Sequence, residues 1–386
     1  MTLRLRQSMS VKKILFLTGT RADYGKLKAL MQAVDSSPEF ELNIFATGMH
    51  MQRRFGMTVN EVKKSGFKDI YTYINQNHGD SMDIVLAKTV TGLSDYCKEL
   101  QPELLVVHGD RVEALAGAIV GSMNNILVGH IEGGEVSGTI DELIRHSVSK
   151  LAHQHLVCNQ SAYNRLLQLG ENPDHIHIIG SPDMDVMVSK DLPSLAETKE
   201  HYELEFNDYA ILLHHPVTTE VDDIEHQVHQ ITNAIIDSKL NYIAILPNND
   251  HGSDSILKVY NDKLIGQKNI KVFPSIRFEY FLTLLKHCQF IIGNSSAGIR
   301  EAPVYGIPTI NIGSRQNNRA FAESVINVAE NTEQILRQIQ SIRGRRFTPS
   351  VDFGEGDSAK KFLSVISQNS FWSTSKQKLF FDLSVH

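Results

Sequence analysis

Short apolar runs alternate along this chain with longer segments of helical spacing. Residues 11–18, 40–47 and 69–74 read as strands, as do the continuous apolar runs 104–107 and 126–131, which carry the pattern of parallel strands buried on both faces. Runs 154–158 and 175–180 complete the first half. Segments 27–34, 81–100 and 162–169 between them carry a helical period. Residues 188–207 are polar, contain Pro193, lack a sustained apolar period and read as a linker. The alternation then restarts, with strands at 210–213, 242–246, 270–273 and 290–293, a last one from Thr309, and helices at 222–238 and 278–287. Such alternation predicts an α/β fold with a doubly wound parallel sheet in each half. The expected organisation is a tail (1–10), a first domain (11–187), the linker (188–207), a second domain (208–357), and a C-terminal helix and tail (358–386). The helix at 358–366 is expected to pack back across the domains. Residues beyond 370 read as frayed, with Phe371, Trp372, Phe380 and Phe381 available to dock.

Polar residues mass where the apolar runs stop. In open α/β sheets ligands bind at the carboxyl ends of the strands. Asp110 lies in His108-Gly109-Asp110-Arg111, Glu132 in Glu132-Gly133-Gly134-Glu135, and Asp141 where Thr139 or Asp141 itself opens a helix. Taken alone, Gly109-Asp110 reads as a turn, and Asp141 as a helix cap or a partner of Arg145 one turn on. Three carboxylates after successive strands point to a shared crevice. After the first strand, 19–26 (GTRADYGK) is a Gly-containing loop entering a helix, an arrangement that presents N–H groups to an anion. It is not G-x-G-x-x-G, so the dinucleotide fingerprint is absent. Arg21 there suits a phosphate or a surface ion pair with Asp23. His50, Arg53 and Arg54 read as a solvated face.

In the second half, 293–303 (GNSSAGIREAP) ends a strand and starts a helix with small residues and hydroxyls. That suits a diphosphate on Ser295 and Ser296, with Glu301, about two helical turns on, accepting both hydroxyls of a ribose. The alternative is Ser295 as a plain N-cap and Glu301 as a solvated residue. Arg315, in 313–316 (GSRQ), is another candidate phosphate contact, whereas Arg343, Arg345 and Arg346 read as a solvated helix end.

Composition narrows the classes. With 386 residues, 41% hydrophobic and 21% charged, the chain suits a two-domain globular protein. A net charge of -6 leaves no electrostatic footprint for nucleic acid. No apolar run approaches the roughly 18 residues that span a bilayer, and the basic residues 1–10 lack the apolar stretch of a signal peptide. Cys97, Cys158 and Cys288 are widely spaced, which fits a reducing, cytoplasmic location without a disulfide framework. Among the 17 histidines, His153/His155 and His175/His177 stand at i, i+2 without an HExxH pattern, so hydrogen-bonded or surface histidine is the expectation and no metal is implied.

Taken together, GTRADYGK, HGDR, HIEGGE, DELIRH, HHPVTTE, GNSSAGIREAP and GSRQ resemble the motifs of the hydrolysing UDP-N-acetylglucosamine 2-epimerases, over about residues 11–345. The non-hydrolysing relatives differ, beginning GTRPE and carrying HVEAGLR where this chain has HIEGGEV. The resemblance implies two Rossmann-like domains facing a cleft, as in B-type glycosyltransferases. It assigns catalysis to Asp110, Glu132, Asp141 and His215, and substrate or UDP binding to Arg21, Arg111, Ser295, Ser296, Glu301 and Arg315. One departure is Asn318, where the family usually has Gly after the RQ pair; Asn tolerates a left-handed φ better than most residues. The implied reaction converts UDP-N-acetylglucosamine to N-acetylmannosamine and UDP for sialic acid synthesis, and needs no nicotinamide, flavin or metal. A homodimer or dimer of dimers is expected. The rivals are the hydrolysing epimerase of UDP-N,N'-diacetylbacillosamine in the legionaminic acid route, the non-hydrolysing epimerase, a B-type glycosyltransferase, and a non-catalytic nucleotide-sugar sensor.

Overall fold

The computed structural model describes residues 11–137, 140–217, 220–247, 252–316 and 322–383. Thr139, Asn318 and the 248–250 part of the Pro247–Asp250 turn lie outside them. The described residues fall into two compact units, one drawn from 11–135, 141–186 and 354–383, the other from 136–137, 140 and the described part of 187–353.

The first unit is built on β1 (Lys12–Thr18), β2 (Phe40–Ala46), β3 (Ile70–Thr72), β4 (Leu104–His108), β5 (Leu127–Ile131), β6 (Gln154–Val157) and β7 (Ile176–Ile178). They form one parallel sheet in the order β3-β2-β1-β4-β5-β6-β7. Both faces are covered, and β1 shows how. Ile14 and Phe16 enter one core with Leu27, Leu30 and Met31, while Leu15 and Leu17 enter the other with Val107, Ile144 and Val148. Alternate residues point to opposite faces of a strand, so a run apolar at every position fits only a central strand. The chain reverses direction across the sheet between β1 and β4, which makes their carboxyl ends the topological switch point.

The second unit repeats the plan with β8 (Ala210–Leu213), β9 (Tyr242–Ile245), β10 (Ile270–Phe273), β11 (Ile291–Gly293), β12 (Thr309–Ile312) and β13 (Val325–Val328), ordered β10-β9-β8-β11-β12-β13. Its switch point lies between β8 and β11. The expected α/β architecture is present, with one Rossmann-like parallel sheet in each half.

Several details differ from expectation. The strand from Thr309 is not the last, because β13, a half-exposed edge strand of only four residues, follows it. The stretch 188–207 contains the helix Leu195–His201, opened by a capping box between Ser194 and Glu197. Glu301 does not lie two turns into a helix. A 3-10 turn, Ser296–Gly298, is followed by a four-residue helix, Glu301–Val304, which Glu301 opens. His50 is fully buried rather than solvated, held by the Thr18 and Thr58 hydroxyls at 3.0 and 2.7 Å. The helix Ser358–Ile366 packs Phe362 and Ile366 against Phe16 in the first unit's core. Phe371 is buried in the same cluster, so the chain just beyond residue 370 is docked rather than frayed, while Phe380 and Phe381 stay exposed.

Candidate active site

β4 and β5 pair with His108 opposite Ile131, and the Gly109 N–H donates to the Ile131 carbonyl at 3.0 Å. Asp110 and Glu132 therefore leave neighbouring strands at the same level. The guanidinium of Arg145 joins them. Its Nη2 donates to Asp110 Oδ2, and its Nη1 donates to the Glu132 carbonyl at 2.8 Å. Arg145 is only 3% exposed, while Asp110 keeps one edge open at 23%. A planar fork that satisfies a carboxylate and a carbonyl together holds both loops in one geometry. Arg145 comes from the helix Ile140–Leu151, whose second residue is Asp141, half-buried and one turn before Arg145.

Glu132 adopts a left-handed backbone, φ 63°, which costs a residue with a Cβ about 1–2 kcal/mol. The turn directs its buried carboxylate away from the loop. Ser181 Oγ donates to Oε1 at 2.8 Å, His108 Nε2 lies 3.3 Å from Oε2, and Lys26 Nζ is 3.8 Å away. Lys26 in turn pairs with the buried Asp183 at 2.7 Å. Behind these loops His130 is wholly buried, with Nε2 2.8 Å from the Gly109 carbonyl and Nδ1 3.1 Å from Ser149 Oγ. A carbonyl only accepts, so Nε2 carries the proton and Ser149 donates to Nδ1. Burial pushes the His130 pKa well below its ordinary value, so this brace is neutral.

Arg21 and Arg111 follow β1 and β4 at the switch point. Arg21 pairs with Glu61 at 2.7 Å rather than with Asp23. Asp23 accepts instead from Thr18 Oγ1 and from the Gly19 and Thr20 N–H groups, at 2.5, 2.9 and 3.1 Å, and shapes the loop as a capping box. Arg111 Nε lies 3.6 Å from the buried Glu113 carboxylate.

In the second unit the switch point joins His214-His215-Pro216 to Gly293-Asn294-Ser295. Gly293 sits at φ 133°, and a Cβ there would overlap the Leu213 carbonyl. Only glycine lets β11 turn so close to β8. The buried Asn294 side chain bridges the two loops, accepting from the His215 N–H at 2.7 Å and donating to the His215 carbonyl at 2.8 Å. Its own carbonyl receives Gln316 Nε2 at 2.8 Å and Arg315 Nη1 at 3.3 Å. His215, Asn294 and Arg315 thus converge from three loops. Burial, with the nearby Arg315 charge, lowers the His214 pKa to about 3 and the His215 pKa well below 6.5. Both rings are neutral at pH 7. Ser295 Oγ accepts from the Ala297 N–H at 3.3 Å, the N-cap geometry, with Ser296 beside it. Glu301 is buried rather than solvated, and burial together with its charge raises the Tyr305 phenol.

The sequence reading did not single out Arg145, Lys26, His108, Ser181, Asp183, Asn294 or Gln316 as site residues. Arg145 and Lys26 stand inside motifs that were recognised, and their side-chain charge was the available signal. Ser181 and Asp183 become visible only once β7 sets them beside Glu132.

The chain is similar to known proteins in sequence and in fold. Residues 32–367 match the family model described as UDP-N-acetylglucosamine 2-epimerase. A UDP-N-acetylglucosamine 2-epimerase of Neisseria meningitidis serogroup B is 48% identical over 97% of this chain and 100% of that one. A hydrolysing UDP-N,N'-diacetylbacillosamine 2-epimerase of Legionella pneumophila is 31% identical over 92% and 96%. In three dimensions the fold resembles the crystal structure of a UDP-GlcNAc 2-epimerase from N. meningitidis bound to UDP-GlcNAc, with TM-score 0.79, 18% identity, and 92% and 100% of the two chains covered. By this family match and this level of identity, the chain belongs to the UDP-N-acetylglucosamine 2-epimerase family.

Proposed function

We propose that this protein is a hydrolysing 2-epimerase that converts UDP-N-acetylglucosamine to N-acetylmannosamine and UDP, supplying sialic acid synthesis. The observation that carries the reading is the pairing of Asp110 with Glu132 through Arg145 at the carboxyl ends of β4 and β5. A glycosyltransferase needs one base toward its acceptor; a trans elimination followed by hydration needs acid–base groups for several proton transfers. The 48% identity to the N. meningitidis epimerase, against 31% to the diacetylbacillosamine enzyme, favours the N-acetylglucosamine substrate.

In the proposed reaction a carboxylate of the Asp110, Glu132 and Asp141 set removes the proton from C2. The C2–H electron pair forms the C1–C2 double bond, and the C1–O bond breaks with its pair leaving on UDP. Water then adds its oxygen at C1 of the acetamidoglycal, and a proton returns to C2 from the opposite face. Asp110, partly open and fixed by Arg145, suits direct proton transfer. Glu132 is enclosed by Ser181, His108 and Lys26, which suits a group whose charge is balanced while a neighbour changes protonation. Arg315, Ser295 and Ser296 hold the diphosphate, and Glu301 the ribose. Arg21 and Arg111 offset the charge that develops on the leaving group. His215, neutral by burial, contributes a hydrogen bond rather than a cation. The protein acts as a homodimer or dimer of dimers, which sedimentation equilibrium distinguishes, in a reducing cytoplasm suited to its three free, buried thiols. Among the described residues no helix is long and apolar enough to cross a membrane.

The test is a substrate panel read by anion-exchange chromatography. UDP and a neutral sugar from UDP-N-acetylglucosamine support the reading. Retention of a UDP-linked sugar indicates the non-hydrolysing reaction, and faster turnover of UDP-N,N'-diacetylbacillosamine indicates the other sugar.

A further inference from the structure

The last residues of the described chain form a strap across the first unit. After the helix Ser358–Ile366, which covers the Ile14 and Phe16 face of the sheet, the chain passes the amino end of β6. Gln154 Nε2 donates to Thr374 Oγ1 at 2.6 Å. His153 Nδ1 accepts from the Val128 N–H at 3.0 Å, so its Nε2 carries the proton that meets the Lys376 carbonyl at 3.2 Å. Further on, the Phe381 N–H donates to the Gly170 carbonyl at 3.1 Å. Gly170 has φ 73°, and a Cβ on it would overlap the Phe380 ring.

Between these anchors Lys378 turns inward, largely buried. Its ammonium donates to the Ser149 and Ala152 carbonyls at 2.9 and 2.6 Å and meets Glu171 Oε2 at 2.5 Å. These carbonyls end the helix Ile140–Leu151, whose Ile144 and Val148 join Leu15 and Leu17 in the core on the opposite face of the sheet. The last carbonyls of a helix lack intrahelical partners and carry its negative end. Glu171 is 1% exposed and also meets Lys150 at 2.8 Å and His155 at 2.9 Å. Burial works against its charge, but the His155 hydrogen bond and the two ammoniums hold it down at about 2.

The helix so capped carries Asp141 and Arg145 in its first two turns. Ser149 near its far end also braces His130, which holds the Gly109 carbonyl next to Asp110. We infer that the C-terminal strap, through Lys378, is a positioning element for the reaction: it fixes the axial placement of the helix Ile140–Leu151, and with it Asp141 and the Arg145 fork on Asp110. This rests on the function proposed above. Lys378 touches no reacting atom; it acts through the helix.

The experiment compares wild type with Lys378→Met and Lys378→Arg in the full chain. UDP release from UDP-N-acetylglucosamine is followed, and turnover is expressed per UDP-binding site. Lys378→Met is expected to lower kcat about tenfold or more, because small displacements of catalytic groups are costly, with KM within threefold. Lys378→Arg, which keeps the charge and can reach the same carbonyls, recovers at least half of the loss. A purely structural role reduces the number of binding sites and leaves turnover per site unchanged, and that result overturns the inference. If Lys378→Met does not fold, Thr374→Val removes one anchor without stranding a charge. A kcat loss of threefold or more then supports the strap, and an unchanged kcat overturns it. Wild type that releases no UDP overturns the proposed function and the inference with it; active wild type with an unaffected Lys378→Met overturns the inference alone.

Discussion

Asp110, bound by Arg145, is the group on which the proposed acid–base chemistry turns. Asp110→Asn keeps the shape and removes the base, so kcat is expected to fall by roughly 10²–10⁴-fold while UDP affinity, measured by calorimetry, is unchanged. A kcat within a few fold of wild type removes Asp110 from the mechanism. The buried histidines make a second claim at this scale. Burial keeps His214 and His215 neutral across the physiological range, so neither adds an ionisation to the kcat/KM profile between pH 6 and 9. A limb near pH 6.5 that vanishes in His215→Asn contradicts the neutral, hydrogen-bonding role. Asp110 and Glu132 were legible because each comes directly after an apolar run that reads as a buried strand, and Asp141 because it stands at the start of the helix that follows. Arg145 was not, because its partners lie 35 and 13 residues away in sequence and nothing local marks it as anything but a helix charge.

The loops after β8 and β11 form a unit through one amide. Asn294→Ala leaves the buried N–H and carbonyl of His215 without their partner, at roughly 1–3 kcal/mol for each stranded group. Denaturant melts are expected to show that loss, together with weaker UDP binding; an unchanged midpoint contradicts the bridge. The strand and helix alternation that builds these loops was readable from periodicity alone, since central parallel strands are apolar at every position. What periodicity missed was short or edged. The helix Leu195–His201 is too charged to show an apolar stripe, although Ser194 and Glu197 spelled out its capping box. β13 borders only β12 and has an exposed side. The region after Gly293 breaks into a 3-10 turn and a four-residue helix, each too short to show a helical period.

Across the whole molecule, buried neutral histidines set the response to acid. His130, His155, His214 and His215 all have folded pKa values below the ordinary 6.5, with burial as the leading cause, at about 4 for His155 and about 3 for His214. The unfolded chain therefore binds protons first as pH falls. Stability is highest above pH 6.5 and is lost from there downward through the folded values, at up to roughly 1.4 kcal/mol per pH unit for each such histidine. Glu171, lowered from 4.5 to about 2, adds a further loss below pH 4.5. Urea midpoints are expected to fall steadily from pH 7 to pH 5; a flat or rising trend contradicts these burial arguments. The aromatic residues of the tail marked it as able to dock, but its Lys378 anchor was invisible in sequence for a related reason: it depends on a buried Glu171 that only the folded sheet creates. The central claim is elimination at C2 followed by hydration, and it is tested most directly by turning over UDP-N-acetylglucosamine in D2O and recording the NMR spectrum of the products. The account predicts free N-acetylmannosamine carrying deuterium at C2, together with UDP. A product that keeps its original C2 proton, or that remains attached to UDP, contradicts it.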